Sequence, residues 1–163
     1  MEHFPAKHMP TSPDIAQKPL VFTGEHRPLL DEKKRLTIPA RWRSGALEEL
    51  FIIKSPSRGC LAAMPQAVLV SMGEKAASQA TNIADQQTFK DQLFAKVVTC
   101  PVDSQGRIVL SDELCRFAGI KIKEEVVLAG GDSKFDIWHP DAWQRQQQAA
   151  AATFETMLKN IGI

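Results

Sequence analysis

The stretch Asp31-Glu32-Lys33-Lys34-Arg35-Leu36-Thr37-Ile38 recurs further along the chain as Asp103-Ser104-Gln105-Gly106-Arg107-Ile108-Val109-Leu110. In both copies an apolar residue precedes the Asp (Leu30, Val102), an Arg stands four positions after it, and a short strand-forming run follows. Strand, tight charged turn and second strand together predict a hairpin in each copy. The register holds downstream, where Glu48-Glu49-Leu50-Phe51-Ile52 parallels Glu124-Glu125-Val126-Val127-Leu128 and Met64-Pro65 parallels His139-Pro140. The chain therefore reads as a tandem duplication. Repeated supersecondary units bury a shared face and present equivalent loops on one side, so the two charged tips are expected on one surface.

The chain has 163 residues, enough for one sizeable core or two small pieces that share one. Each repeat spans roughly 45 residues, a size that rarely stabilises itself, so residues 20–143 are expected to fold as one unit. Twenty basic and 19 acidic side chains leave the net charge near neutral, which gives no global electrostatic argument for or against nucleic acid. Charge is concentrated locally. From Lys33 to Arg43 the chain carries Lys33, Lys34, Arg35, Arg41 and Arg43 with no acid among them. Cys60, Cys100 and Cys115 are odd in number and irregularly spaced, and no leader or long apolar run is read, so a reducing cytoplasm is expected. Neither these thiols nor His3, His8, His26 and His139 have the close pairing of a zinc site, and no metal or cofactor is expected.

Residues 1–19 contain Pro5, Pro10, Pro13 and Pro19 with few large apolar side chains, and predict a flexible extension. A first half follows over 20–66. It has a strand at Val21–Gly24, the charged turn, and a short helix opened by Pro39 that points Trp42 and Leu47 inward across Ala40–Ala46. Phe51–Ile53 and Cys60–Ala63 are strands joined by turn residues at Ser55–Gly59. Residues 67–95 read as a helical connector broken near Thr81-Asn82. The second half, 96–143, repeats the plan. Strands at Lys96–Val102 and Arg107–Leu110 flank the Gln105-Gly106 turn, and Ser111 caps a helix that runs to Phe117 and ends at Gly119. A hairpin at Val126–Ala129 and Lys134–Trp138 comes next, and Pro140 opens a last helix that continues as a Gln- and Ala-rich tail over 144–163.

The charged turns suit phosphate contact and base reading. Arg presents a planar fork of donors to phosphate oxygens or guanine edges, and an Asp in the same turn can pre-orient that fork. The alternative is that Asp and Arg brace the turn for themselves and touch no ligand. Lys33 and Lys34 beside Arg35, and Arg41 and Arg43 beyond it, favour the first reading, since a basic two-stranded ribbon fits the major groove. Trp42, Trp138 and Trp143 stand among apolar, periodic neighbours, so core packing is preferred over base stacking. His139 has no nucleophile or second base at a telling spacing. No nucleophile elbow, phosphate-binding loop or dinucleotide fingerprint occurs, so neither an enzyme nor a small-molecule substrate is expected.

With Phe22-Thr23-Gly24, then Leu30-Asp31-Glu32-Lys33-Lys34-Arg35-Leu36-Thr37-Ile38-Pro39, and later Val102-Asp103-Ser104-Gln105-Gly106-Arg107, residues 20–145 resemble the MraZ family of bacterial transcription regulators. The resemblance implies an α+β fold: a pseudo-twofold, AbrB-like swapped-hairpin, double-psi-type β-barrel with short helices and a C-terminal helix. It also implies a ring of protomers, cytoplasmic and nucleoid-associated, on short direct repeats of double-stranded DNA in the promoter of the division and cell-wall gene cluster. Asp31, Arg35, Asp103 and Arg107 fall on the motif positions. The resulting expectation assigns DNA contact to Lys33, Lys34, Arg35, Arg43, Gln105 and Arg107, and turn bracing to Asp31, Asp103 and Gly106. Two alternatives stay open: a ring scaffold that binds no DNA, and an AbrB-like antidote-type module. One position departs from the family pattern, because Lys34 stands where the first turn has Gly before Arg. A side chain in a left-handed conformation there costs on the order of 1 kcal/mol.

Overall fold

A computed structural model describes residues 21–43 and 47–163. The expected N-terminal extension, and the end of the helix expected over Ala40–Ala46, lie outside the described residues. The fold is mixed α+β. Its strands are β1 (Phe22–His26), β2 (Arg35–Thr37), β3 (Glu49–Ser55), β4 (Cys60–Met64), β5 (Val98–Pro101), β6 (Arg107–Val109), β7 (Val127–Gly131) and β8 (Phe135–Trp138). A 3₁₀ turn at Ala40–Arg43 and helices α1 (Gln66–Gln79), α2 (Ile83–Lys96), α3 (Asp112–Ala118) and α4 (Pro140–Asn160) complete it.

The strands pair antiparallel in the order β1-β7-β8-β4-β3-β5, and β2 and β6 form a separate two-stranded ribbon. Among the described residues the large sheet ends at β1 and β5 and does not close into the expected barrel. The pairing also corrects the hairpin expected around each charged turn. After the Asp31 N–H meets the Arg35 carbonyl at 3.1 Å, the two arms of the first turn part. The incoming arm crosses to the second repeat, where the Leu30 N–H donates to the Glu124 carbonyl at 3.1 Å, and the outgoing arm, β2, pairs with β6. The second turn does the same in reverse: the Val102 N–H donates to the Glu48 carbonyl at 2.9 Å. Backbone groups must find partners somewhere, and here the other copy supplies them.

Strands before the helical connector pair with strands after it: β1 with β7, β3 with β5, and β4 with β8 across the middle. The main core is correspondingly joint, with Leu30, Leu36, Ile38, Trp42, Leu50 and Ile52 from one copy packed with Ile108, Leu110, Leu114, Val126, Leu128 and Phe135 from the other. Trp42 and Trp138 are buried as expected, and the Trp42 indole N–H donates to the Thr23 carbonyl. The connector is two helices broken at 80–82, with Asn82 capping α2 through the Asp85 N–H. Leu69 and Leu93 seat it on Ala62 and Met64. Ser111 caps α3, which ends at Gly119 in a left-handed conformation. His139 caps α4 by accepting the Asp141 N–H on Nδ1, so this ring is satisfied by a structural bond.

Candidate nucleic-acid interface

The two Asp-x-x-x-Arg turns have one geometry. Asp31 Oδ1 accepts the N–H groups of Lys33 and Arg35 at 2.9 and 2.8 Å, and Oδ2 accepts Arg35 Nε at 2.5 Å. Asp103 Oδ1 accepts the N–H groups of Gln105 and Arg107, each at 2.9 Å, and Oδ2 accepts Arg107 Nε at 2.9 Å. A short carboxylate is needed because the same side chain must reach two backbone donors and still face the guanidinium. Partial burial pushes the Asp31 carboxyl up, but the N–H and guanidinium of Arg35 and the N–H of Lys33 together outweigh it and hold the group below the usual Asp range. At Asp103 the Arg107 N–H is the largest influence; partial burial opposes it, the guanidinium reinforces it, and the group again lies low. Each Arg spends its Nε–H inside the turn, and among the described residues its terminal nitrogens carry no hydrogen bond.

The ribbon brings the two arginines together. Arg35 pairs with Val109, Leu36 with Ile108 and Thr37 with Arg107. Leu36 and Ile108 are fully buried in the core, so alternation along the strands sends Arg35, Thr37, Arg107 and Val109 to the opposite, outward face. Beyond the ladder, the Leu110 N–H donates to the Lys34 carbonyl and the Ile38 N–H to the Gly106 carbonyl, each at 2.9 Å, which ties each turn to the strand leaving the other.

The remaining expected contacts are placed unequally. Lys33 and Gln105 are exposed and have no side-chain bond among the described residues. Lys34 has φ 59° and Gly106 φ 77°, so the position is left-handed in both copies. The Lys34 ammonium pairs with Asp112 at the start of α3 and holds that carboxyl below its ordinary pKa. Arg43 lies against the second turn. Its Nε donates to the Ile38 carbonyl at 2.9 Å, and its guanidinium covers Gly106 so closely that a Cβ there would overlap it. Glu32 pairs with Lys123 at 3.0 Å. Arg41 is exposed. Sequence reading missed Asp112 as the partner of Lys34, and missed Thr37 and Val109 as parts of the outward face. The alternation in Arg35-Leu36-Thr37 and Arg107-Ile108-Val109 was the available signal for the latter two.

Elsewhere the described residues hold no group of three or more His, Cys, Asp or Glu placed to bind a metal ion. Cys60, Cys100 and Cys115 are free and buried, and burial pushes Cys60 and Cys100 up to about 11. No helix among the described residues is long and apolar enough to cross a membrane.

Fold and site define an α+β protein in which two Asp-braced arginines share the outward face of a two-stranded ribbon. Residues 93–160 match the family model described as "MraZ protein, putative antitoxin-like". The chain is 35% identical over 141 residues to the transcriptional regulator MraZ of Desulforamulus reducens, covering 86% of this chain and 97% of the relative. It is 34% identical over 142 residues to that of a Mycobacterium species, strain KMS, covering 84% and 97%. For Saccharopolyspora erythraea the figures are 34% over 124 residues, covering 76% and 85%. The chain belongs to the MraZ family of transcriptional regulators.

Proposed function

We propose that this protein is a sequence-specific DNA-binding regulator whose contact surface is the β2–β6 ribbon with its two turns. The observation that carries this is the register of the ribbon, which sets Arg35 and Arg107 on one outward face with each fork oriented by its own Asp. Arg35 and Arg107, with Gln105, read base edges, while Lys33, Lys34 and Arg43 serve phosphates, so the duplex is positioned by one set and identified by the other. The interleaved pairing supports an AbrB-like swapped-hairpin arrangement, with 20–66 and 96–143 as halves, 67–95 as connector and 144–163 as tail. The family resemblance supports a ring of protomers on short direct promoter repeats of the division and cell-wall cluster, in the cytoplasm and on the nucleoid. One protomer offers few cations. A ring that meets regularly spaced repeats makes later contacts intramolecular and gains roughly 10² to 10⁴ in apparent affinity.

A second reading is a ring scaffold that binds no DNA. In it the Asp-Arg turns pair between protomers, and the near-neutral net charge of the chain favours it. The two separate in a binding titration of the DNA upstream of the protein's own gene against scrambled DNA, across a salt series. The regulator reading expects preference for the first DNA, affinity falling with salt, and loss of that preference in Arg35→Ala. Equal, weak binding to both, unchanged by the substitution, selects the scaffold.

A further inference from the structure

We infer that Val109 is a base-reading residue that contacts the 5-methyl group of thymine in the major groove. This rests on the DNA-binding reading above and extends it to a position that no charge or turn motif marks. Val109 lies on the outward face of the ribbon, 57% exposed, directly across the ladder from Arg35 and two residues along its own strand from Arg107. A single exposed valine on a protein surface needs no explanation. This one shares the outward face of the proposed interface with Arg35 and Arg107.

Spacing and chemistry agree. Residues two apart on a strand lie roughly 6.6–6.8 Å from each other, which is about two base-pair steps of 3.4 Å along one DNA strand. The forks of Arg35 and Arg107 match the O6 and N7 acceptors of guanine, and the thymine methyl is the apolar feature of the major-groove edge that suits a valine next to both on the same face. The face therefore fits a step that carries thymine within two base pairs of guanine.

Symmetry supplies the second argument. Val109 and Thr37 stand at the same position of the two repeats, each six residues after its turn Asp, and they pair with the two arginines in equivalent ways. A face of strict twofold symmetry would read a duplex equally in either direction. Along the ribbon the outward residues are Arg35 and Thr37 on one strand and Arg107 and Val109 on the other, so the Thr–Val difference gives the ribbon itself a polarity, beside that of the two unlike turns. A hydroxyl can bond to several base edges, whereas Val109 accepts only the methyl.

The test uses the full chain and a duplex of its own upstream region, prepared once with thymine and once with deoxyuridine, which removes only the methyl groups. Wild type should bind the deoxyuridine duplex about fourfold more weakly for the methyl that Val109 covers. Val109→Ser should bind both duplexes alike, with an unchanged melting temperature because the site is exposed. Equal wild-type affinity for the two duplexes overturns the inference while leaving the DNA-binding reading intact, and so does discrimination retained in Val109→Ser. Absence of any preference over scrambled DNA overturns that reading and this inference with it.

Discussion

Lys34 and Gly106 occupy equivalent left-handed positions, yet their surroundings give substitutions there opposite signs. Lys34 carries a Cβ at φ 59°, a conformation that costs an L-residue about 1 kcal/mol. Its ion pair with Asp112 joins side chains that are 37% and 72% exposed, and a pair so placed returns about 0–1 kcal/mol. Lys34→Gly is therefore expected to raise stability by up to about 1 kcal/mol, a gain of about 2–4 °C for a chain of this size. Gly106→Ala is expected to lower it by about 1–2 kcal/mol, because the new methyl both takes the strained φ and displaces the Arg43 guanidinium from its place beside the Ile38 carbonyl. Thermal melts of the two variants read this directly, and equal signs would contradict the geometry. The same Lys34→Gly variant separates the roles of the side chain. A salt slope of DNA binding reduced by about 0.9 makes Lys34 a phosphate contact, and an unchanged slope leaves its charge with Asp112.

Among the elements, the ribbon is short but closes the core. Leu36 and Ile108 face each other across it and are both fully buried among residues of the two repeats. Leu36→Ala or Ile108→Ala should each cost about 2–5 kcal/mol through lost burial and an unfilled cavity, while Thr37→Ala on the outward side should cost well under 1 kcal/mol. Urea titration of the three variants measures the contrast, and comparable losses at all three would place the outward face in contact with something else. This element also marks where sequence reading ends. The strand leaving the first turn, the cap at Ser111, the helix break near Thr81-Asn82 and the inward-facing Trp42 were legible because each follows from local spacing or local backbone chemistry. The partner of the strand was not, since a three-residue alternation is the same whether it pairs with the preceding arm or with a strand of the other repeat. The Lys34–Asp112 pair was hidden for the same reason: it joins one copy's turn to the other copy's helix. The left-handed position of Lys34 could still be read, because Gly106 occupies its place in the second copy.

At the scale of the whole molecule, the strand pairing leaves neither half of the chain a complete unit. A first-repeat fragment ending at residue 96 keeps the β3–β4 ladder and the α1–α2 pair, but β1, β2 and β5 lose or take away their partners in the exchange, as does the β4–β8 pairing at the centre of the sheet. Half of the joint core is then open to water, and a piece this small buries too little surface to offset the entropy of ordering its chain. The fragment 20–96 is expected to show no cooperative melt as a monomer, nor is 97–163. Mixed in equal amounts, they should recover the circular dichroism and melting transition of the intact chain, with a midpoint that rises with concentration because docking has become bimolecular. A cooperative melt of either fragment alone, independent of concentration, would show that a repeat folds by itself and that the exchange is not required. The consequence reaches the proposed interface, because Arg35 and Arg107 come from different repeats and share a face only through the β2–β6 pairing. Specific DNA binding should accordingly be absent from both fragments and return with the melting transition on mixing, so that folding and the contact face appear together in one titration.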